Sequence, residues 1–286
     1  MNDEYLIKDS DLVTVTEMGH IVEVQYMQKM NKRATIKKLD DSTYIDLTTG
    51  KIKEFNNSEY RGQLLNSIRG TIKRLRYLIN NNFIGAKNEL FITLTYKENM
   101  QDTERLYDDF RKFMMRLRYR YRDISSVDYI SVVEPQGRGA WHCHVLMRFN
   151  DVEKIYIPNE EVRSLWGHGF VRVNRLEDVD NIGAYVSAYL TDLEMEGDFE
   201  GDKVKRLNGK KYIKGARLHL YPPGINIYRC SRGIKPPERE VMRFKEVKNI
   251  VKDSAPHYTK TYNVQTDEFE NVITYYQYNL KRDISK

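Results

Sequence analysis

The sequence predicts an α+β fold in which a mainly antiparallel five-stranded sheet is flanked by helices. Between residues 91 and 229, strand patterns and helix patterns alternate in the order β-α-β-β-α-β-α-β. One β-β step reads as a hairpin, because two strand-like runs flank the short turn from Pro135 to Ala140. The other connections contain helices, and such connections place helices on the faces of a sheet.

The first elements of this block follow from apolar periodicity. Two helices are predicted by apolar residues at helical spacing, and three strands by β-branched and aromatic content. The predicted helices are 61–80 and 103–121, with Asp102 or Thr103 as the cap of the second, and the predicted strands are 91–96, 129–134 and 141–149.

The later elements are bounded by proline and glycine. Pro158 is predicted to open a short helix that Gly167 ends. The remaining predictions are a strand at 170–173, a helix at 178–194, a charged loop at 197–215, a strand at 225–229, a basic helix at 238–252 and a tyrosine-rich tail that can form a hairpin.

The chain is predicted to have three regions. Residues 1–57 alternate apolar and polar side chains over short stretches, which indicates a small β-rich N-terminal extension. Residues 58–235 form the main domain with its leading helix. Residues 236–286 form a C-terminal helix and tail.

Composition narrows the class of protein. The 286 residues carry a formal charge of +6 with a pI near 9.0, and they include 21 Tyr. A basic, tyrosine-rich surface suits nucleic acid, although an ordinary solvated surface has a similar composition. Two cysteines make no disulfide framework and fit a reducing cytoplasm, where we expect the protein to stay. No apolar stretch approaches 18 residues, so no membrane association is expected.

A His-x-His pair gives the first indication of chemistry. His142 and His144 lie in an apolar strand pattern, so they share one face about 7 Å apart. Glu134 ends the preceding strand, and the hairpin count places it opposite Trp141 or His142. Two imidazoles and a carboxylate suit a divalent metal, Mg²⁺ or Mn²⁺. The alternative is a pair of core histidines that are hydrogen-bonded to backbone.

Two tyrosines give the second indication. Tyr185 and Tyr189 lie four residues apart on a predicted helix, so they share a face along the edge of its apolar stripe. Their hydroxyls can therefore reach the histidine strand. The alternative is two amphipathic tyrosines at the edge of a packed helix.

In this order, these motifs resemble those of the rolling-circle replication initiators of the HUH endonuclease superfamily. The three motifs are a strand like Phe91–Tyr96, a His-hydrophobic-His strand and a helix with one or two tyrosines. The resemblance covers residues 88–235 and implies a fold with a ferredoxin-like or RRM-like core. It also implies that His142, His144 and Glu134 hold the metal and that the two tyrosines attack DNA. Tyr189 matches the nucleophile of some single-tyrosine relatives.

The resemblance implies an origin nickase. Such an enzyme nicks and rejoins single-stranded DNA, or an origin hairpin, through a 5′-phosphotyrosine and leaves a 3′-OH. Host helicase and polymerase are the implied partners. The family commonly has a lysine three residues after a tyrosine, but here those positions are Ala188 and Asp192. Lys97 and Arg138 are the candidates for replacing its contact with phosphate.

Other interpretations remain open. A relaxase or a single-strand transposase of the same superfamily would use the same chemistry, but relaxases usually place the tyrosines before the histidines. A non-catalytic module that binds single-stranded nucleic acid could share the core fold, but it would need stacking aromatic residues in its central strands.

Overall fold

The structure is a computed structural model of the chain. It describes residues 6–30, 35–40, 42–54, 65–136, 139–177, 179–191, 193–195, 204–207, 210–213, 220–222, 224–252, 254–266 and 269–282. Two compact units divide the chain. One comprises 1–16, 22–59 and 239–283, and the other comprises 17–21, 60–238 and 284–286. We call them the terminal unit and the central unit.

The elements are numbered in chain order. The N-terminal strands are β1 (Leu12–Met18), β2 (Ile21–Met27), β3 (Ile36–Lys38), β4 (Thr43–Asp46) and β5 (Ile52–Glu54). The middle of the chain forms α1 (Leu65–Asn82), β6 (Glu89–Leu94), α2 (Thr103–Tyr121), β7 (Val127–Pro135), β8 (Trp141–Phe149), α3 (Asn159–Trp166), β9 (Val171–Asn174), α4 (Ile182–Thr191), β10 (Leu193–Met195), β11 (Val204–Leu207), β12 (Lys210–Ile213) and β13 (Tyr228–Cys230). The last elements are β14 (Arg239–Arg243), α5 (Phe244–Val251), β15 (Tyr258–Thr266) and β16 (Phe269–Asn279).

The central unit contains the predicted five-stranded sheet. Its strand order is β13-β7-β8-β6-β9, and every neighbouring pair is antiparallel. The predicted α+β fold is therefore confirmed. The bounds of α2 and β8 agree with the prediction. Asp102 caps α2 by accepting hydrogen bonds from the backbone N–H groups of Glu104 and Arg105.

Helices cover both faces of this sheet. Phe110 of α2 contacts the ring of Tyr129 in β7 at a centroid distance of 5.4 Å, which places α2 on the face that Tyr129 shares with Val133. Tyr185 of α4 contacts Phe91 of β6 at 6.0 Å, on the opposite face. The core of the unit is built from residues of both layers and of the sheet between them.

The terminal unit joins the two ends of the chain. Its larger sheet has the strand order β14-β1-β2-β16-β15, so an N-terminal hairpin lies between C-terminal strands. Val13 pairs with Met242, for example, in an antiparallel ladder between β1 and β14. The valines of β1 and β2 form a core with Val247 and Val251 of α5. Strands β3, β4 and β5 form a separate three-stranded sheet.

Three predictions for the later part of the chain are wrong. The stretch 197–215, predicted as a loop, contains β11 and β12, which form a sheet with β10. The stretch 238–243, predicted as the start of a helix, forms β14 because it pairs with β1. Helix α4 begins at Ile182 rather than at residue 178. The predicted division into regions at residues 57 and 235 stays a prediction.

No helix in the described part of the chain is long and apolar enough to cross a membrane.

Candidate metal centre and tyrosine helix

The hairpin of β7 and β8 sets the positions of the candidate ligands. Its register pairs Glu134 with His142, and Val132 with His144. Because residues two apart in a strand share a face, Glu134, His142 and His144 point to the same side of the sheet. The turn is closed by the Gln136 N–H, which donates to the Ala140 carbonyl at 2.8 Å.

The three side chains converge. One possible ligand atom of each residue lies within 4.8 Å of those of the other two. Nε2 of His144 is hydrogen-bonded to Oε2 of Glu134. Glu134 and His144 are buried, whereas His142 is half-buried, so the cluster opens toward solvent on the His142 side.

The chemistry of these donors fits a divalent cation. Burial lowers the pKa of His144 to about 4, so its imidazole is neutral near pH 7. Neutral imidazole is the form that ligates a metal. Two nitrogens and a carboxylate oxygen are a mixed set that Mn²⁺ and Mg²⁺ accept.

Neighbouring polar side chains hold the other nitrogen of each ring. The Thr93 hydroxyl lies 3.1 Å from Nδ1 of His144, and Nε2 of Gln136 lies 3.2 Å from Nδ1 of His142. The sheet register explains the first contact, because Thr93 of β6 pairs with His144. Gln136 was not predicted as a site residue. Its position in the hairpin turn, six residues before His142, was the only available signal.

Aromatic packing connects His144 to the tyrosine helix. The ring of Phe91 stacks on His144 at a centroid distance of 5.5 Å and an interplanar angle of 8°. On its other contact, Phe91 meets the half-buried ring of Tyr185 edge-on at 6.0 Å. Tyr185 is therefore separated from the candidate ligands by one ring.

Close packing of α1 against α4 fixes where that helix lies. A Cβ atom at Gly183 would lie 2.7 Å from the Arg76 carbonyl oxygen, so only glycine fits at this position. The Gly183 N–H donates to Oδ1 of Asn80 at 2.8 Å. This contact secures the N-terminal turn of α4, two residues before Tyr185.

Tyr221 secures the other end of α4. Its buried hydroxyl lies 3.0 Å from the carbonyl oxygen of Val133 and 3.4 Å from that of Leu190. The last turn of α4 therefore lies beside the residue that precedes Glu134. Nothing in the sequence pattern indicated Tyr221, because it lies outside the periodic segments.

The structure leaves three predicted site residues without a described contact to this cluster. Tyr189 lies in α4 one residue before Leu190, but its side chain is outside the described part of the chain. Arg138 also lies outside the described residues. Lys97 is exposed just beyond β6, where its backbone N–H donates to the His168 carbonyl at 3.0 Å.

Comparison with known proteins adds one observation. Residues 89–194 match a family model of replication-associated proteins, the one that includes ORF2. The matched segment runs from β6 to β10 and contains the three candidate ligands and both tyrosines. The match supports a role in replication initiation. No curated protein and no solved structure is significantly similar to the chain.

Proposed function

We propose that this protein is a rolling-circle replication initiator of the two-tyrosine HUH type. In this proposal it nicks and rejoins single-stranded DNA at an origin through a tyrosine-linked 5′-phosphate. The observation that carries the proposal is the convergence of Glu134, His142 and His144 on the sheet face that α4 covers. The family match over the same segment supports it.

The three ligands would hold Mg²⁺ or Mn²⁺. A cation bound there would polarise the scissile phosphate and neutralise charge that develops during attack. Glu134 supplies the negative charge of the site, and the neutral His144 adds none of its own. The half-buried His142 lies at the open side, where a DNA strand would enter.

The covalent step belongs to a tyrosine of α4. Its hydroxyl oxygen attacks phosphorus and forms the phosphotyrosine bond, while the bond from phosphorus to the 3′-oxygen breaks. The tyrosine proton is lost, and the leaving oxygen takes up a proton to give a free 3′-OH. The phosphodiester is conserved in the link, so a 3′-OH can later reverse the step and rejoin DNA without ATP.

Tyr189 is proposed as the first nucleophile and Tyr185 as the second. The Tyr221 contacts support this order, because they bring Leu190 beside Val133, next to Glu134. Tyr185 lies behind the Phe91 ring. We propose that Lys97 and Arg138 contact DNA phosphates, and that host helicase and polymerase use the opened strand and its 3′-OH.

A covalent-adduct assay tests the proposal. The protein is incubated with a labelled pool of random single-stranded 40-mers and Mn²⁺, and the products are separated on a denaturing gel. We expect a protein-linked band that carries the 5′ end of the cleaved product and that disappears with EDTA. His144→Ala should abolish this band, whereas His168→Ala, at a histidine outside the cluster, should keep it.

The same gel can disprove the proposal. An undiminished adduct with His144→Ala would rule out the metal assignment, provided that circular dichroism shows a folded variant. An adduct on the 3′ end of the cleaved strand would rule out the HUH mechanism.

A further inference from the structure

Helix α2 has an unusually basic outer face. Between Phe110 and Arg122 it contains six cationic residues and no acidic residue. All six are exposed, and they are Arg111, Lys112, Arg116, Arg118, Arg120 and Arg122. We call this set the basic face of α2. At 1.5 Å per residue, it extends over about 16 Å of helix.

The carboxylates beside this face do not neutralise it. Asp108 pairs with Arg111 and Lys112, Glu161 pairs with Arg120, and Asp123 pairs with Arg122. Six positive charges thus meet three negative charges. Such exposed ion pairs are weak, so a polyanion can replace them.

The basic face lies away from the candidate metal centre. Helix α2 packs on the sheet face of Tyr129, Val133 and Cys143, whereas Glu134 and both histidines point to the other face. A strand bound at the metal centre is therefore separated from α2 by the sheet. The basic face must meet a different stretch of nucleic acid.

The side chains on this face favour duplex DNA over a single strand. Single-strand binding without sequence preference uses exposed rings on which bases stack. The exposed surface of α2 offers one such ring, Tyr119, and the Arg122 guanidinium already covers it at 4.3 Å from the centroid. What remains is a row of cations, and a duplex presents a negative charge about every 1.7 Å along its axis.

We infer that the basic face of α2 is a sequence-independent binding surface for duplex DNA. DNA as the partner rests on the proposed function. The surface would hold double-stranded DNA that flanks the nicking site, while the opposite sheet face processes the single strand.

A binding assay without divalent metal tests this inference. The triple variant Arg111→Gln, Lys112→Gln, Arg122→Gln removes three cations and spares Arg116 and Arg118, which donate to backbone carbonyls. Fluorescence anisotropy in EDTA measures affinity for a random 20-bp duplex and for (dT)20 across a salt series. The matched control carries Lys154→Gln, Arg232→Gln and Lys235→Gln, three exposed cations outside α2.

The expected result is a selective loss of duplex binding. The slope of log K against log salt should become less steep by about 2 to 3, and affinity should fall on the order of a hundredfold at 0.1 M salt. An unchanged slope, an equal loss in the control, or a loss confined to (dT)20 would overturn the inference. Because the assay involves no cleavage, failure of the nicking proposal would leave its outcome readable.

Discussion

The hydroxyl of Thr93 lies 3.1 Å from Nδ1 of His144, while Nε2 of the same ring faces the Glu134 carboxylate. A hydroxyl can either donate or accept a hydrogen bond, so Thr93 can hold the ring in both neutral tautomers. One of those tautomers protonates Nδ1 and leaves the lone pair of Nε2 for a cation. Thr93 is thus a positioning residue for His144.

Replacing Thr93 with valine should weaken metal binding. Valine keeps the shape of the side chain but cannot pair with Nδ1, and loss of such a partner typically costs about 10–100-fold in metal affinity. Thr93→Ser keeps the hydroxyl and should restore most of the affinity. Titration of Mn²⁺ followed by electron paramagnetic resonance measures both variants without any DNA. Equal affinity in wild type and Thr93→Val would show that the contact does not position the ring.

The two tyrosines should be separable by conservative substitution. Tyr189→Phe removes only the hydroxyl and should abolish the first covalent DNA adduct. Tyr185→Phe should still nick but should be impaired in strand transfer. Mass spectrometry of the tryptic DNA–peptide adduct identifies the linked residue. An adduct found only on Tyr185 would reverse the roles, and one on neither would assign both residues to packing.

Thiol labelling should distinguish the two faces of β8. Cys143 lies between the two histidines in sequence, is 2% exposed, and burial raises its pKa to about 12. It should therefore resist N-ethylmaleimide at pH 7.5, whereas the exposed Cys230 should react. We expect one labelled thiol per native chain and two in denaturant. Rapid labelling of Cys143 in the native protein would mean that the strand register, and so the orientation of both histidines, is wrong.

Glu89 should make the free energy of unfolding depend on pH. Its carboxylate is 2% exposed and accepts backbone N–H groups from Ile84, Gly85 and Ala86, but burial dominates and raises its pKa above 4.5. The folded state therefore binds the proton more tightly than the unfolded state does. The contribution to stability is complete below pH 4.5 and is lost as pH rises through the folded-state pKa.

Glu89→Gln removes this titration. Between about pH 4.5 and 7, the wild type should lose more unfolding free energy than the variant, whatever their absolute stabilities. Urea denaturation at several pH values measures the two curves. Parallel curves would contradict the raised pKa.

The sequence predicted those elements whose signal is local. Helix α2 has a cap and an uninterrupted apolar stripe, and β8 is a continuous apolar run, so their bounds agree with the structure. The convergence of Glu134 with the histidines follows from counting through one hairpin. These relationships depend on residues that are close together in the sequence.

Long-range relationships were missed. The amphipathic stretch after Pro237 suggested a helix, but its first residues pair with β1, which is remote in sequence. Tyr221 joins β7 to α4 from a segment without periodicity. Thr93 was expected to line the neighbouring strand, but its partner could be identified only from the sheet register. Each of these contacts depends on tertiary pairing, which a local pattern does not encode.

The pairing of β1 with β14 has a consequence for synthesis. Strands β1 and β2 leave the ribosome first, but β14 and β16 emerge only after nearly the whole chain has been made. The five-stranded sheet that contains β6, β7 and β8 is complete once β13 has been translated. Co-translational folding should therefore produce the candidate catalytic sheet while the N-terminal hairpin still lacks both its partners. A nascent chain stalled near residue 238 would expose the edges of β1 and β2, and at that stage they are open to pairing with the same strands of a neighbouring nascent chain.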